Sequence, residues 1–490
     1  MKKTTRILAL LLALMMSFSM LVACGGGEGG GGGIGPGGDE PIISTEHDPK
    51  IEAKDYEGHE FTFITQQSAD YGYNVQYLVT SEEEKGDALK DAIGKRNAIL
   101  EEKYNITIAQ YDVPNLLNEV RTQVMGGVTT FDVVLANART MATLSREGLL
   151  YNLYDIPVIN LEKPYWDQRA NADLKTGDKL YFTNCDLNIH TIGSAIFFNK
   201  KLIKDYELTT PYAFMEQDKW TVDNWMTLAK AISRDVNSDG NMTEFDQYSN
   251  LSSHGVDSYF IFGSGIRFTV SDAEGYPQVA LVENSDKLVN VYEKTKSVFG
   301  DSSVNYCISC SNVSDNGYSS KWEYLRTLFC QDLYLFDYTS DDALKIYKDM
   351  ESEFGIVPFP KYDENQATYH TIYPEDFNCF GIPSVVEDLE RTGKIVEDLN
   401  YYSSTILIPV WFETLLTRRL TRDDESEATL RFIKDNRVYD LGYIFDFGQF
   451  KSGVLWQKSS TINIMREYQR RKGAIDADIK VTFKDFAKMG

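Results

Sequence analysis

Phe131-Asp-Val-Val-Leu-Ala136 is apolar on both faces, and no other stretch of the chain restricts its fold so tightly. A strand with one wet side alternates apolar and polar residues, because successive side chains point to opposite faces. A strand apolar on both sides needs cover on both, as in the middle of a parallel sheet packed between helices. The residues before it fit such a layout. Phe61-Thr-Phe-Ile64 is a short β-like run, and Leu89, Ile93, Arg96, Leu100 and Tyr104 fall at helical spacing with charges between them. Asn105 punctuates, Ile106 to Tyr111 reads as a strand, and Leu117, Val120 and Val124 mark a helix that stops at Gly126-Gly127. Repeated strand–helix–strand units of this length predict an α/β chain with open, doubly wound sheets. Ligands of such sheets sit beyond the carboxyl ends of the strands. That rule points to Gln66-Gln67 after the first strand and to Asn137-Ala-Arg139 after the third.

Further along, Ala195-Ile-Phe-Phe198 is a new strand that runs into Asn199-Lys-Lys-Leu-Ile203. Thr221 is the N-cap of a helix that carries Trp225, Leu228 and Ile232 on one face. Leu333 to Phe336 and Phe354 to Pro358 return to strand character, and helical patterns dominate from Glu387 onward. A chain of 490 residues exceeds one ordinary core and predicts two lobes. Its formal charge of −24 is repelled by phosphate backbones, which argues against nucleic acid as a partner. No GxSxG elbow, HExxH, P-loop or dinucleotide-binding glycine fingerprint is present, so the expectation is a protein that is not an enzyme. Paired carboxylates of a glycosidase stay open as an alternative, since 73 acidic residues make chance pairs inevitable.

The amino terminus carries Lys2, Lys3 and Arg6, then an apolar run from Ile7 to Ala23 that ends in Leu21-Val-Ala-Cys24. This layout resembles a bacterial lipoprotein signal. The resemblance implies a signal peptide over residues 1–23, acylation of Cys24, and an exported chain anchored by lipid to the outer face of the bacterial cell membrane. Gly25 to Gly38 is nearly all glycine, and residues 24–50 read as a flexible tether. Elsewhere the best membrane candidate, Thr405 to Phe412, is too short to span a bilayer and contains Pro409. The cysteines after Cys24 are Cys185, Cys307, Cys310, Cys330 and Cys379, an odd number, so at least one stays outside an internal pair. Buried or loop thiols are the expectation for these five, with one bridge, Cys307–Cys310 or Cys310–Cys330, left open. Cys307-x-x-Cys310 has no second CxxC and no His nearby in sequence to complete a zinc set.

Phe131-Asp-Val-Val, Gly148-Leu-Leu-Tyr-Asn-Leu153, Lys179-Leu-Tyr181, Phe197-Phe-Asn-Lys200, Pro211-Tyr212, Trp220-Thr221, Phe354 to Pro360 and Ile382-Pro383 follow one another in an informative order. Together they resemble the extracellular solute-binding proteins of ABC importers, nearest to the family 1 group that takes sugars and oligosaccharides, over residues 55 to 490. The resemblance implies a periplasmic-binding-protein-like fold of two lobes, each an open sheet flanked by helices, with ligand in the cleft between them. By that analogy the chain crosses near Cys185–His190, Trp322–Leu328 and Asn378–Pro383. Lobe 1 would then be 51–187 with 326–379, and lobe 2 would be 188–325 with 380–490. The implied function is capture of a carbohydrate by hinge closure of a monomer and its delivery to ABC permease subunits. The alternative is a surface glycoside hydrolase or other glycan-processing lipoprotein.

A sugar offers apolar C–H faces to aromatic rings and hydroxyl edges to amides, carboxylates and guanidinium groups. Candidate rings are Trp166, Trp322, Trp411, Tyr259 and Tyr338, while Trp220 and Trp225 read as packing residues. Candidate polar partners are Gln67, Asn137, Arg139, His190, His254, Asp337, Glu375 and Asp376. No catalytic cofactor is expected. A separate motif, Asp235-x-Asn237-x-Asp239-Gly240-Asn241-x-Thr243-x-x-Asp246, has the oxygen spacing of an EF-hand-type calcium loop. Asp235, Asn237, Asp239, Asn241, Thr243 and Asp246 are its candidate ligands for a structural Ca2+. Asp246 replaces the usual terminal Glu.

Overall fold

The computed structural model describes residues 45–67, 87–188, 193–340, 343–376, 378–415, 424–457 and 462–488. The lipoprotein signal, Cys24 and most of the tether therefore lie outside the described residues, as does His190.

The expected first sheet is present. His59–Gln66 lies between Ile106–Val113 and Val133–Asn137 and runs parallel to both. Phe61, Phe63, Ile64 and Val133 to Ala136 are buried, which accounts for the doubly apolar run. Ala88–Tyr104 and Leu116–Met125 are the helices between these strands. Asn105 closes the first of them in the left-handed region at φ 45°, a conformation asparagine tolerates better than most residues. A fourth strand, Asn378–Gly381, joins antiparallel beside Val133–Asn137, with Asn378 opposite Asn137.

The second sheet is mixed. Ser194–Asn199 sits between Phe354–Val357 and Tyr334–Ser340, antiparallel to each. Tyr334–Ser340 runs parallel to Gln247–Ser252, whose far edge pairs with Ser233–Arg234 and Asn305–Cys307. Side chains of Ser194–Asn199 alternate between two cores: Ile196 and Phe198 join Trp220, Trp225 and Phe260, whereas Ala195 and Phe197 join Leu325, Trp411 and Ile433. A third core lies on the first sheet and holds Phe61, Leu135, Trp166 and Phe380.

The strand pairings move the expected lobe boundaries. Tyr334–Ser340 and Phe354–Val357, assigned above to lobe 1, belong to the second sheet, because their backbones pair with Ser194–Asn199 on its two edges. Conversely Leu389–Tyr402, assigned to lobe 2, buries Ile395, Val396 and Leu399 in the core of the first sheet. The carboxyl-terminal helix Ile464–Lys488 ties both sides together: Ile475 and Ile479 pack in the second sheet's core, and Phe486 stacks on Tyr181 at 5.3 Å in the first. Among the described residues no helix is long and apolar enough to cross a membrane.

Candidate functional site

The carboxyl end of Val133–Asn137 meets the segment entering Asn378–Gly381, and charged groups from distant parts of the chain converge there. Asn137 caps the helix Ala138–Arg146 by accepting from the Thr140 amide at 2.9 Å, so its side chain is committed to the turn. That cap sets Arg139 in the first helical turn. Its backbone N–H donates to the Glu375 carbonyl at 3.3 Å, and its guanidinium donates to Glu375 Oε1 at 3.3 Å and Asp376 Oδ1 at 2.8 Å. Lys451 donates to the same oxygen, Glu375 Oε1, at 2.9 Å. Lys451 and Glu375 are 3% and 2% exposed, whereas Arg139 and Asp376 are 50% and 40% exposed. A buried ion pair thus supports a solvent-facing one.

Aromatic rings line the same cluster. The Lys451 ammonium lies 4.8 Å from the Tyr443 ring centre and 5.2 Å from that of Trp456, and the Arg139 guanidinium lies 5.6 Å from Trp456. The irregular turn Lys451–Leu455 is held by Asp446, whose carboxylate accepts from the Lys451 amide at 2.8 Å. Gly255 sits at φ +89°, and a Cβ there would fall 2.6 Å from the Trp456 ring, so only glycine admits this approach. Tyr443 is buried with its hydroxyl 3.2 Å from that of Ser258. Burial raises the Tyr443 and Tyr259 hydroxyl pKa values, and the negative charge of Glu375 adds to both. Partial removal from water pushes the half-exposed Asp376 carboxyl up to about 6, repulsion by Glu375 adds to this, and Arg139 and Lys451 oppose it.

Four of the sequence-derived candidates are brought together in one cluster: Arg139, Glu375 and Asp376 in direct contact, and Tyr259 within electrostatic reach. Gln67 lies exposed at the same end of the first sheet, its backbone N–H donating to Val113 O at 2.8 Å. The remaining candidates lie elsewhere. Asp337 is inside Tyr334–Ser340 and is buried against the Arg326 guanidinium at 3.3 Å and the Tyr347 hydroxyl. Tyr338 accepts from the Trp225 indole at 2.9 Å and donates to Asn250 Oδ1 at 2.5 Å, deep in the core. The strand is longer than its apolar run suggests, so these residues are interior and not at its end. Trp411 is 4% exposed, packed 4.9 Å from Phe412, and Trp322 packs half-buried on the same core. Trp166 is buried with its indole donating to Glu397 Oε2 at 3.0 Å. Trp456 and Lys451 were not anticipated. Trp456 is the tryptophan left without a role above, and nothing in its local sequence marks it.

His254 borders a cavity of about 370 Å³ together with Asp257, Cys307, Cys310 and Gln457. A disulfide joins Cys307 to Cys310, where thiols were expected and this bridge was left open, and Cys185, Cys330 and Cys379 are free thiols. His254 Nε2 is 3.1 Å from Cys310 Sγ. The histidine that the sequence did not supply near the CxxC is supplied by the fold.

In the candidate calcium loop, Asp235 accepts from the Ser238 and Gly240 amides at 2.6 and 2.7 Å, and Gly240 turns at φ +84°. Asn237 accepts from the Asp239 amide at 2.9 Å, and Asp239 accepts from Asn241 at 2.7 Å. Asp246 is buried and accepts from the Val236 and Thr243 amides at 2.9 and 2.7 Å. The carboxylates of Asp235, Asp239 and Asp246 do not gather within 4.8 Å of one another; among the described residues only His254, Cys307 and Cys310 do so.

The whole body is similar in fold to solved binding proteins. An ABC substrate-binding protein of Listeria monocytogenes, solved with cycloalternan, superposes with a TM-score of 0.55 at 12% identity, covering 86% of this chain and 100% of that one. The GacH receptor of Streptomyces glaucescens, solved unliganded and with acarbose, gives 0.52 at 15% identity over 88% and 98% of the two chains. A cyclo/maltodextrin-binding protein complexed with maltotetraose gives 0.53 at 16% identity over 88% and 98%. No curated relative matches in sequence. Residues 80–297 match the family model of the bacterial extracellular solute-binding proteins, and the fold around them is similar to that of the two-lobed sugar-binding proteins above.

Proposed function

We propose that the chain captures a carbohydrate, of oligosaccharide size, and delivers it unchanged to the permease of an ABC importer. The observation that carries this is the juxtaposition of Arg139, Asp376 and Trp456 at the carboxyl end of the first sheet. A guanidinium donates to sugar hydroxyls, a carboxylate accepts from them, and an indole covers an apolar C–H face. Glu375 Oε1 accepts from both Arg139, in the helix that follows a first-sheet strand, and Lys451, whose neighbours Phe450 and Val454 pack in the second sheet's core. A ligand that contacts groups from both sides stabilises the arrangement in which they are close, which is the free-energy requirement for hinge closure. The sugar-bound structures of similar fold support the same class of ligand. Glycan cleavage is not favoured: Glu375 and Asp376 are adjacent in sequence and share one guanidinium, an arrangement that binds rather than flanks a bond.

The decisive experiment is calorimetric titration of the purified protein with maltotetraose, cycloalternan and other oligosaccharides, together with assay for released sugar. Saturable binding without product is expected, and Trp456→Ala lowers affinity about tenfold or more, the loss of one stacked ring. Binding unchanged in Trp456→Ala and Asp376→Asn would remove this cluster from the site, and released sugar would replace capture by hydrolysis.

The lipoprotein signal belongs to the same reading. Acylation at Cys24 would hold the protein at the outer face of the membrane beside its permease, and Cys24→Ala would release it to the medium. The spacing of Asp235 to Asp246 and the bend at Gly240 support a structural calcium ion in that loop, whose candidate ligands are Asp235, Asn237, Asp239, Asn241, Thr243 and Asp246.

A further inference from the structure

The cluster formed by His254, Cys307 and Cys310 has no part in the carbohydrate reading. Its three ligand atoms lie within 4.8 Å of one another, although His254 is separated from the cysteines by more than one secondary-structure element. We propose that reduction of the Cys307–Cys310 disulfide opens a binding site for a thiophilic divalent cation such as Zn2+, held by the two thiolate sulfurs and His254 Nε2.

The placement follows from the second sheet. Gln247–Ser252 and Asn305–Cys307 run parallel, with Ser252 opposite Cys307, so the loops leaving both strands start side by side. The Ile308 amide donates to Ser252 O at 2.8 Å, and the His254 amide donates to Ser309 Oγ at 3.2 Å, which fixes one loop on the other. The turn at the cysteines has its own hydrogen bonds: the Cys310 and Ser311 amides donate to Cys307 O at 3.2 and 3.0 Å. Opening the S–S bond therefore leaves the backbone that carries both sulfurs in place. Because the bridge spans a sequence separation of only 3, it restricts the unfolded chain little, and a staple here adds less stability than one closing a long loop.

Access and charge favour the exchange. Cys310 is exposed, and both cysteines border the cavity of about 370 Å³ that also takes in Asp257. Asp257 is 3% exposed, and its Oδ1 has no hydrogen-bond partner, so a buried acceptor borders a cavity that would hold a cation. Reduction by an external dithiol balances simply: the dithiol loses two electrons and two protons and becomes a disulfide, and Cys307 and Cys310 become thiols. Binding of the divalent cation then displaces the two thiol protons to solvent. Two thiolates and one imidazole satisfy three positions of a tetrahedral zinc ion, and water takes the fourth.

The test uses the full chain in a Cys330→Ser background, which removes the remaining half-buried thiol. Protein is reduced with dithiothreitol, desalted without oxygen, and titrated with Co2+ as a spectroscopic probe for zinc. One equivalent of Co2+ with a thiolate charge-transfer band is expected after reduction and none before it. Zn2+ should bleach the band, and His254→Ala should weaken Co2+ binding by about tenfold or more. The double change Cys307→Ser and Cys310→Ser should abolish the band while the far-ultraviolet circular dichroism stays native. A disulfide that resists dithiothreitol in the folded protein, a reduced protein without the band, a band that survives the double change, or equal affinity in His254→Ala would each overturn the proposal.

Discussion

The buried contact between Lys451 and Glu375 makes a quantitative prediction. At 2.9 Å, with both side chains nearly inaccessible, their attraction is about 6 kcal/mol at an effective dielectric constant of about 20. Most of that attraction offsets the cost of removing both charges from water. Lys451→Met deletes the cation and leaves the Glu375 carboxylate buried, with only the half-exposed Arg139 at 3.3 Å as a counter-charge. An uncompensated buried charge costs about 3–5 kcal/mol, and the surviving Arg139 contact places the expected loss near about 3 kcal/mol. Lys451→Met combined with Glu375→Leu removes both charges, and most of the stability should return, to within about 1 kcal/mol of the parent. Urea denaturation followed by tryptophan fluorescence measures both changes, compared through their midpoints at constant slope. A loss below about 1 kcal/mol in Lys451→Met, or a double variant no more stable than the single one, would show that the pair does not hold this junction together.

Two further expectations concern pH and metal. His370 is pushed down to about 4 by burial and then by Arg267, Arg169 and Lys287, and its Nδ1 is buried without a partner. Its folded pKa lies below its unfolded value, so the unfolded chain takes the proton first. The resulting stability is present above pH about 6.5 and is lost as pH falls toward about 4, at up to about 1.4 kcal/mol per unit. His370→Gln should flatten the stability–pH curve over that window, and an unchanged slope would assign the acid sensitivity to other groups. In the candidate calcium loop, EDTA should lower the melting temperature and added Ca2+ restore it, while Asp235→Ala should make the protein indifferent to both. Indifference of the unaltered protein would show the loop to be a metal-free turn.

What the sequence determined by itself was the succession of elements and the apolar faces they bury. The run at Phe131 to Ala136, the cap at Thr221 and the left-handed Asn105 act through neighbours within one turn or one strand, so their consequences are visible locally. The rule that ligands gather at the carboxyl ends of strands likewise led to Arg139, and the resemblance to solute-binding proteins led to Glu375 and Asp376 beside the last crossing. Tertiary structure decided which of many plausible polar and aromatic residues share a place. Asp337 and Tyr338 looked terminal because the apolar run ended near them, but hydrogen bonding carries the strand to Ser340 and turns both into core groups. Lys451 and Trp456 reach the site from a turn near the carboxyl terminus, and His254 reaches Cys310 through strand pairing. Such contacts depend on where two sheets and the final helix settle against one another. That settling is fixed by the packing of the whole body and leaves no periodic mark on the residues that meet.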